Sequence, residues 1–120
     1  MVPVLSTIPP IINEDPAVQA GFDAAVSRVN AAVWRIAREL RLPMINLWRM
    51  LDSPAMINRG MSNDGLHMSV AGANGEMING PGPTTMADSV RFDRSSLRYG
   101  ANRRNLVWLK TLALLDKITG

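Results

Sequence analysis

The first half of the chain alternates between short apolar runs and one long amphipathic segment. Residues Val2 to Ile8 are apolar and partly β-branched and stop at a proline pair, which predicts a short buried strand. A second apolar run, Leu42 to Leu47, predicts another strand of the same kind. Between them, apolar side chains recur at spacings of three and four residues, the period of a helix with one face in a core. This stripe consists of Phe22, Val26, Val29, Val33, Ile36 and Leu40.

Polar and proline residues mark the limits of this helix. Asp15 can accept hydrogen bonds from the first N–H groups, and Pro16 suits the first turn because no N–H is needed there. Pro43 disfavours helical geometry in the residue before it, so the helix should end near Arg41. A strand, a helix and a strand in succession are typical of a right-handed βαβ crossover, which predicts a parallel sheet.

The second half of the chain predicts a helical turn, a long loop region and a terminal helix. The turn covers Trp48 to Leu51, and a loop then leads from Asp52 to the segment 64–67. From Val70 to about Asp93 the chain is rich in Gly, Pro, Asn and Thr, which indicates a long surface excursion. A final helix, roughly Asn102 to Ile118, should pack on the same sheet. It offers for burial Leu106, Leu109, Leu112, Ala113 and Leu115, with Trp108 at the edge.

The number of predicted strands is too small for a parallel sheet. Such sheets occur almost always with several strands and with helices on both faces, and each strand here would keep an unpaired edge. The pattern therefore predicts either the C-terminal portion of a larger α/β domain or a chain that completes its sheet with another chain. On this interpretation Met1 is an internal or misassigned start.

Composition narrows the class of protein without identifying it. A length of 120 residues, 47% of them hydrophobic and 19% charged, is typical of one globular domain at most. No apolar run approaches the roughly 20 residues of a membrane helix, and no signal peptide pattern opens the chain, so we expect a soluble protein of unspecified location. The absence of cysteine excludes disulfides, thiolate metal sites and cysteine nucleophiles.

One histidine is present in the chain, and it follows an aspartate by three residues in the loop after the last strand. In open α/β sheets the loops at the carboxyl ends of strands line the ligand crevice. Across a turn that contains Gly65, the carboxylate of Asp64 can reach Nδ1–H of His67 and leave Nε2 to take a proton. Asp64 would then orient the ring and His67 would be the base. From spacing alone, the alternative is an aspartate that caps the turn beside an ordinary surface or half-buried histidine.

Two other kinds of site are open to consideration. A metal site on Asp64, His67 and either Asp52 or Glu76 would have one histidine and no cysteine, a poor ligand set for zinc, so we expect no metal and no cofactor. The net charge is +3, and a polyanion-binding patch is a rival hypothesis, although no nucleic-acid motif accompanies the late basic residues and we expect no nucleic acid. Those residues are Arg91, Arg94, Arg98, Arg103, Arg104 and Lys110.

The segment 63–69, with the sequence Asn-Asp-Gly-Leu-His-Met-Ser, resembles the last sequence block of the SGNH (GDSL-like) serine hydrolases. The flanking segments fit the family's order of elements. Residues 4–10 resemble its penultimate core strand, and residues 36–48 resemble its last helix and strand. Residues 97–100 and 104–106 resemble the terminal portion of a bacterial branch of these esterase-like proteins. The resembling stretches cover about half of the chain.

The resemblance implies a flavodoxin-like three-layer α/β/α domain that hydrolyses esters through a serine, Asp64 and His67, with Gly and Asn donors in the oxyanion hole. The family's nucleophile block, its middle glycine and its Gly-x-Asn-Asp block have no counterpart here. None of the eight serines has the nucleophile's glycine-rich surroundings. The chain would then be a C-terminal fragment that is inactive alone. Its serine would come from a missing N-terminal segment or a partner chain, and its substrate would be a small-molecule, carbohydrate or lipid ester.

On this interpretation residues 1–120 form a partial SGNH domain. Residues 1–67 hold the βαβ unit and the Asp-x-x-His loop, residues 68–101 the glycine- and proline-rich excursion, and residues 102–120 the terminal helix. The alternative from another class is a non-catalytic binding or assembly subunit. It would recruit a partner through an exposed strand edge and would use the basic C-terminal face on an anionic ligand or surface.

Overall fold

A computed structural model describes residues 2–72, 76–79 and 85–119, and its first half is a strand, a long helix and a strand. The elements are β1 (Leu5–Ser6), α1 (Pro16–Glu39) and β2 (Met44–Ile45). Leu5 lies opposite Met44 in a parallel pair, so the predicted order and the predicted parallel pairing are confirmed. The strands are shorter than the apolar runs that predicted them, because prolines lie close to both and remove ladder donors.

The ends of α1 follow the predicted capping residues. The Asp15 carboxylate accepts hydrogen bonds from the N–H groups of Ala17 and Val18, at 2.8 and 3.3 Å. At the other end the chain leaves the helix through Arg41, whose φ of 52° lies in the left-handed region. Both predicted limits of this helix are therefore confirmed.

The apolar stripe of α1 is covered along one flank only. Val26 and Ala37 are buried, whereas Val29, Ile36 and Leu40 are 45%, 42% and 63% exposed. The prediction that the whole stripe faces a core is therefore wrong for these three. The physical reason is the size of the sheet: a helix of 24 residues is about 36 Å long, whereas each strand that it accompanies has 2 residues.

The hydrophobic core lies where β2 continues into a short helix, α2 (Leu47–Leu51). The side chain of Asn46 caps α2 by accepting from the N–H of Arg49 at 3.1 Å. A 3₁₀ turn, Ile57–Gly60, follows. The buried core cluster consists of Ile45, Leu47, Leu51 and Met56, and Val4, Met50, Met68, Val107 and Trp108 pack against it.

The predicted surface excursion after His67 contains buried structure. Strand β3 (Val70–Ala71) pairs with β4 (Met77–Ile78) in an antiparallel ladder, and the side chains of β3 are 4% and 1% exposed. The prediction of a surface loop is wrong here. Residues 73–75 and 80–84 lie outside the described residues. Further on, α3 (Thr85–Asp88) and a 3₁₀ turn (Ser96–Arg98) precede the last helix.

One polar side chain, that of Asn102, holds several of these segments together. Asn102 is 0% exposed, and its Oδ1 accepts from the N–H of Ala71 at 3.0 Å. Its amide nitrogen donates to the carbonyls of Asp88 and Arg91, at 2.8 and 2.9 Å. Asn102 thereby connects β3 to the turn formed by residues 88–91 through buried backbone groups.

The terminal helix α4 (Gly100–Thr119) begins slightly earlier than predicted and packs differently. Its first turns contact β3, the second 3₁₀ turn and α2, and Ala101 is buried. Leu109 and Leu112, which were predicted to be buried, are 52% and 53% exposed, and Ala113 is exposed. The prediction is wrong for this outer half because apolar residues occur on several faces of the helix, so sequence periodicity alone does not select the packed one.

The described helices also bear on membrane association. Within the described residues, none of them combines the length and the hydropathy that a membrane span requires.

Candidate active site

The loop that carries Asp64 and His67 is closed by its own backbone. Met61 and Met68 form an antiparallel bridge, and the N–H of Ser62 donates to the carbonyl of His67 at 2.7 Å. The N–H of Ser69 donates to the carbonyl of Gly60 at 3.0 Å. The loop is therefore a fixed hairpin-like turn.

This turn is also attached to two other parts of the fold. On one side, the N–H of Ile12, in the connection between β1 and α1, donates to the carbonyl of Gly65 at 3.0 Å. On the other side, Ser69 receives the first N–H groups of α4: its carbonyl accepts from Ala101 at 2.9 Å, and its hydroxyl accepts from Gly100 at 3.3 Å. The Asp-x-x-His segment is thus held between the βαβ unit and the terminal helix.

The two carboxylate oxygens of Asp64 have different partners. Oδ1 accepts from the N–H groups of Leu66 and His67, both at 3.0 Å, and from the hydroxyl of Ser62 at 2.6 Å. Oδ2 lies 2.6 Å from Nδ1 of His67. Asp64 therefore caps the turn and binds the imidazole at the same time, so the two roles that the sequence presented as alternatives coexist.

Hydrogen bonding keeps Asp64 ionised. The Ser62 hydroxyl is the largest cause of a pKa of Asp64 well below its ordinary value, followed by the N–H and then the ring of His67 and by the N–H of Leu66. An anionic oxygen beside Nδ1 favours the tautomer with the proton on Nδ1, assigned here from the hydrogen-bond network. Nε2 then carries the lone pair that a general base needs.

The imidazole is accessible to a reactant. The side chain of His67 is 54% exposed and that of Asp64 is 44% exposed. Within the described residues, Nε2 of His67 has no hydrogen-bond partner. The nearby Ser62 donates to Asp64 and not to the ring, so it does not take the nucleophile's position.

Ser62 is a site residue that motif reasoning missed. It is 0% exposed, which is unusual for a serine in a surface loop, and its hydroxyl contributes most to the ionisation of Asp64. The available signal was a hydroxyl side chain two residues before the aspartate, a spacing at which side chains often bond across a turn.

A second aspartate provides a comparison within the same chain. Asp93 accepts from the hydroxyls and N–H groups of Ser95 and Ser96, with 2.6 Å from the Ser96 hydroxyl to Oδ2, and these bonds hold its pKa well below the ordinary value. It caps the 3₁₀ turn and contacts no histidine. A depressed carboxyl pKa is therefore common to both caps, and the imidazole distinguishes the Asp64 loop.

The residues that the sequence suggested for a metal site or a polyanion-binding patch do not form one site. Asp52 pairs with Arg59 at 2.8 Å, and no group of three His, Asp or Glu side chains in the described ranges could hold a metal ion. Of the late basic residues, Arg91 donates to the carbonyl of Gly72 at 2.7 Å, and Nε of Arg104 donates to Asn105 at 3.0 Å. The late basic residues therefore do not all act as one patch, since Arg91 and Arg104 donate to acceptors of the protein itself.

Comparisons of the chain with protein-family models, with curated proteins and with solved structures each gave no match. The geometry nevertheless defines a mixed α/β domain with a two-strand parallel sheet, and an aspartate–histidine pair in a fixed, exposed loop.

Proposed function

We propose that this chain is the C-terminal part of an SGNH-type serine ester hydrolase, in which His67 is the general base and Asp64 orients it. The observation that carries the proposal is the 2.6 Å hydrogen bond between Oδ2 of Asp64 and Nδ1 of His67, on a ring whose Nε2 faces no partner in the described residues. This arrangement supplies two of the three groups that serine hydrolysis requires.

The proposed reaction proceeds through an acyl-enzyme. Nε2 of His67 takes the proton of the serine hydroxyl as the serine oxygen forms a bond to the ester carbonyl carbon. Asp64 stabilises the imidazolium, which then gives the proton to the departing alcohol as the ester C–O bond breaks. A water molecule next attacks the acyl group, with His67 again as base, and the acid is released. In this reaction the chain supplies the groups that transfer the proton. It does not determine which acyl group or alcohol is accepted.

The serine and the oxyanion donors must come from another polypeptide segment. Two features support this part of the proposal. In the part of the chain that the structure describes, the β1–β2 pair has no strand along either outer edge. The flank of α1 that includes Val29, Ile36 and Leu40 is also exposed. Additional parallel strands, as in the flavodoxin-like three-layer domain that the resemblance implies, would pair those edges and cover that flank.

The decisive experiment uses the natural full-length polypeptide and measures the hydrolysis of p-nitrophenyl acetate together with labelling by a fluorophosphonate. We expect His67→Ala to reduce kcat by about 10⁴-fold or more, and Asp64→Asn to reduce it by a smaller factor. Asp93→Asn is the matched control, because Asp93 is a serine-bonded cap without a histidine. It should leave kcat unchanged.

The labelled serine should lie outside the 120 residues of this chain. Equal turnover in His67→Ala and in the unmodified protein would refute the assigned roles. A loss of activity in Asp93→Asn as large as that in Asp64→Asn would show that the effect does not depend on the contact between the carboxylate and the imidazole.

A further inference from the structure

Several arginines of the C-terminal third surround one surface cleft. Arg94, Arg98 and Arg103 line it together with Pro54, Ala55 and Leu97, and its volume is about 640 Å³. Arg98 is the last residue of the second 3₁₀ turn and Arg94 lies two residues before that turn, whereas Arg103 belongs to the first turns of α4. Three guanidinium groups from two adjacent elements therefore share one concave surface.

Three arginines outside the cleft have carboxylate partners in the described residues, and Arg35, which pairs with Glu39, is one of them. Arg59 lies 2.8 Å from Asp52, and Arg91 lies 3.9 Å from Asp93. Within the described residues, no carboxylate comes within 4.0 Å of a cleft arginine. Three positive charges therefore line one cleft without a carboxylate partner, an arrangement that attracts an anion.

Arg103 provides a second and independent observation. Its Nε is buried and is the one buried side-chain nitrogen or oxygen in the described part of the chain that lacks a hydrogen-bond partner. Because this nitrogen is out of contact with solvent, a ligand in the cleft would be bound by the terminal guanidinium nitrogens, whose donors suit phosphate and carboxylate oxygens. The guanidinium is not held at Nε by any acceptor of the described chain. Arg103 also borders a neighbouring cleft of about 420 Å³, where Arg49 lies.

We propose that this cleft binds the phosphoryl group of a small phosphate monoester. Three guanidinium groups match a phosphate dianion better than a singly charged carboxylate, and the guanidinium fork fits its oxygens. Pro54, Ala55 and Leu97 give the cleft an apolar wall for the organic part of the ligand. A long polyanion fits less well, because Arg91 and Arg104, which would extend the charged track, donate to acceptors of the chain itself.

The experiment measures binding of phenyl phosphate and of inorganic phosphate to the full chain by isothermal titration calorimetry. We expect phenyl phosphate to bind more tightly than inorganic phosphate. Arg103→Gln and Arg98→Gln should each weaken the binding of phenyl phosphate about tenfold or more. Arg98 is exposed, so its variant tests the proposal even if Arg103→Gln unfolds.

Arg28→Gln is the matched control, since it removes one positive charge from an exposed position on α1 that does not line the cleft. It should change the affinity less than twofold. An equal loss in Arg28→Gln would overturn the proposal in favour of general attraction to a basic protein. The proposal would also be overturned if phenyl phosphate gave no heat of binding in the titration. Unchanged binding of phenyl phosphate to Arg98→Gln would overturn it as well. This site does not depend on the role of His67.

Discussion

The backbones of Gly65 and Ile12 are in direct contact, although the two residues lie in different loops. The N–H of Ile12 donates to the carbonyl of Gly65, and a Cβ atom at Gly65 would lie 1.9 Å from the carbonyl oxygen of Ile12. The φ angle of Gly65 is 71°, which side chains other than glycine rarely adopt. The glycine between Asp64 and His67 is therefore required for the loop to lie against the βαβ unit.

This contact predicts a large cost for Gly65→Ala. Overpacking against backbone, together with the left-handed φ angle, should lower the free energy of unfolding by about 2 to 4 kcal/mol. Gly21→Ala is the control, because a Cβ there meets nothing within 4 Å and lies inside α1. It should raise the free energy of unfolding by roughly 0.5 to 1 kcal/mol. Urea denaturation measures both, and equal effects would contradict the proposed contact.

The hydrogen bonds to Asp64 predict a specific pH dependence. Because the pKa of Asp64 is lowered on folding, its contribution to stability is present above the unfolded-state pKa of about 3.9 and is lost as the pH falls through the lower folded-state value. Carboxyl carbon shifts in NMR should show Asp64 still mainly ionised near pH 3, on the order of one unit below that ordinary value.

Ser62→Ala tests whether the hydroxyl of Ser62 causes the lowered pKa of Asp64. The variant removes the largest cause, so the pKa of Asp64 should rise toward its ordinary value. The pKa of Asp93 should not move, since its hydroxyl partners are Ser95 and Ser96. An unmoved Asp64 titration in this variant would contradict the assigned hydrogen bond, and a joint shift of both carboxyls would indicate a general change of the fold.

The local features of the fold were predictable from the sequence because their causes are local. Asp15, Pro16 and Pro43 set the limits of α1 through capping and proline geometry, and the predicted parallel pairing of the strands agrees with the structure. The contact between Asp64 and His67 is also local, because a three-residue spacing across a turn brings the carboxylate within reach of the ring, although the spacing alone left a capping role open.

Features that depend on distant residues were not predictable. Nothing in the local pattern shows that Val70 and Ala71 are buried, or that the N–H of Ala71 donates to Asn102, 31 residues further along the chain. The exposure of Leu109 and Ile36 likewise depends on which surface is present to cover each helix. Periodicity identifies an apolar face, and only the tertiary arrangement decides whether that face is buried.

The proposed hydrolase function predicts that the 120-residue chain is inactive by itself. In the described residues no serine hydroxyl is bonded to His67, and Ser62 donates to Asp64 instead. A fluorophosphonate should therefore not modify the isolated chain. Heat-unfolded chain is the control for nonspecific reaction. Stoichiometric labelling of one serine that is lost in His67→Ala would contradict the need for a second segment.

The last prediction concerns the exposed flank of α1. Val29 and Ile36 are 45% and 42% exposed, so Ile36→Lys should change the unfolding free energy of the isolated chain by less than about 0.5 kcal/mol and reduce its self-association. Val26→Lys, at a position 2% exposed, should unfold the isolated chain, because the lysine charge would be buried without a partner.

If the chain is part of a longer polypeptide, as proposed above, lysine at position 36 should become as costly there as lysine at position 26. If added strands cover the flank, Ile36→Lys buries a charge there too, and the loss should reach several kcal/mol. Thermal unfolding of both variants in both contexts measures the difference. A cost for Ile36→Lys that stays small in the full-length protein would show that no larger sheet covers this flank, and the proposal that another segment completes the domain beside α1 would then fail.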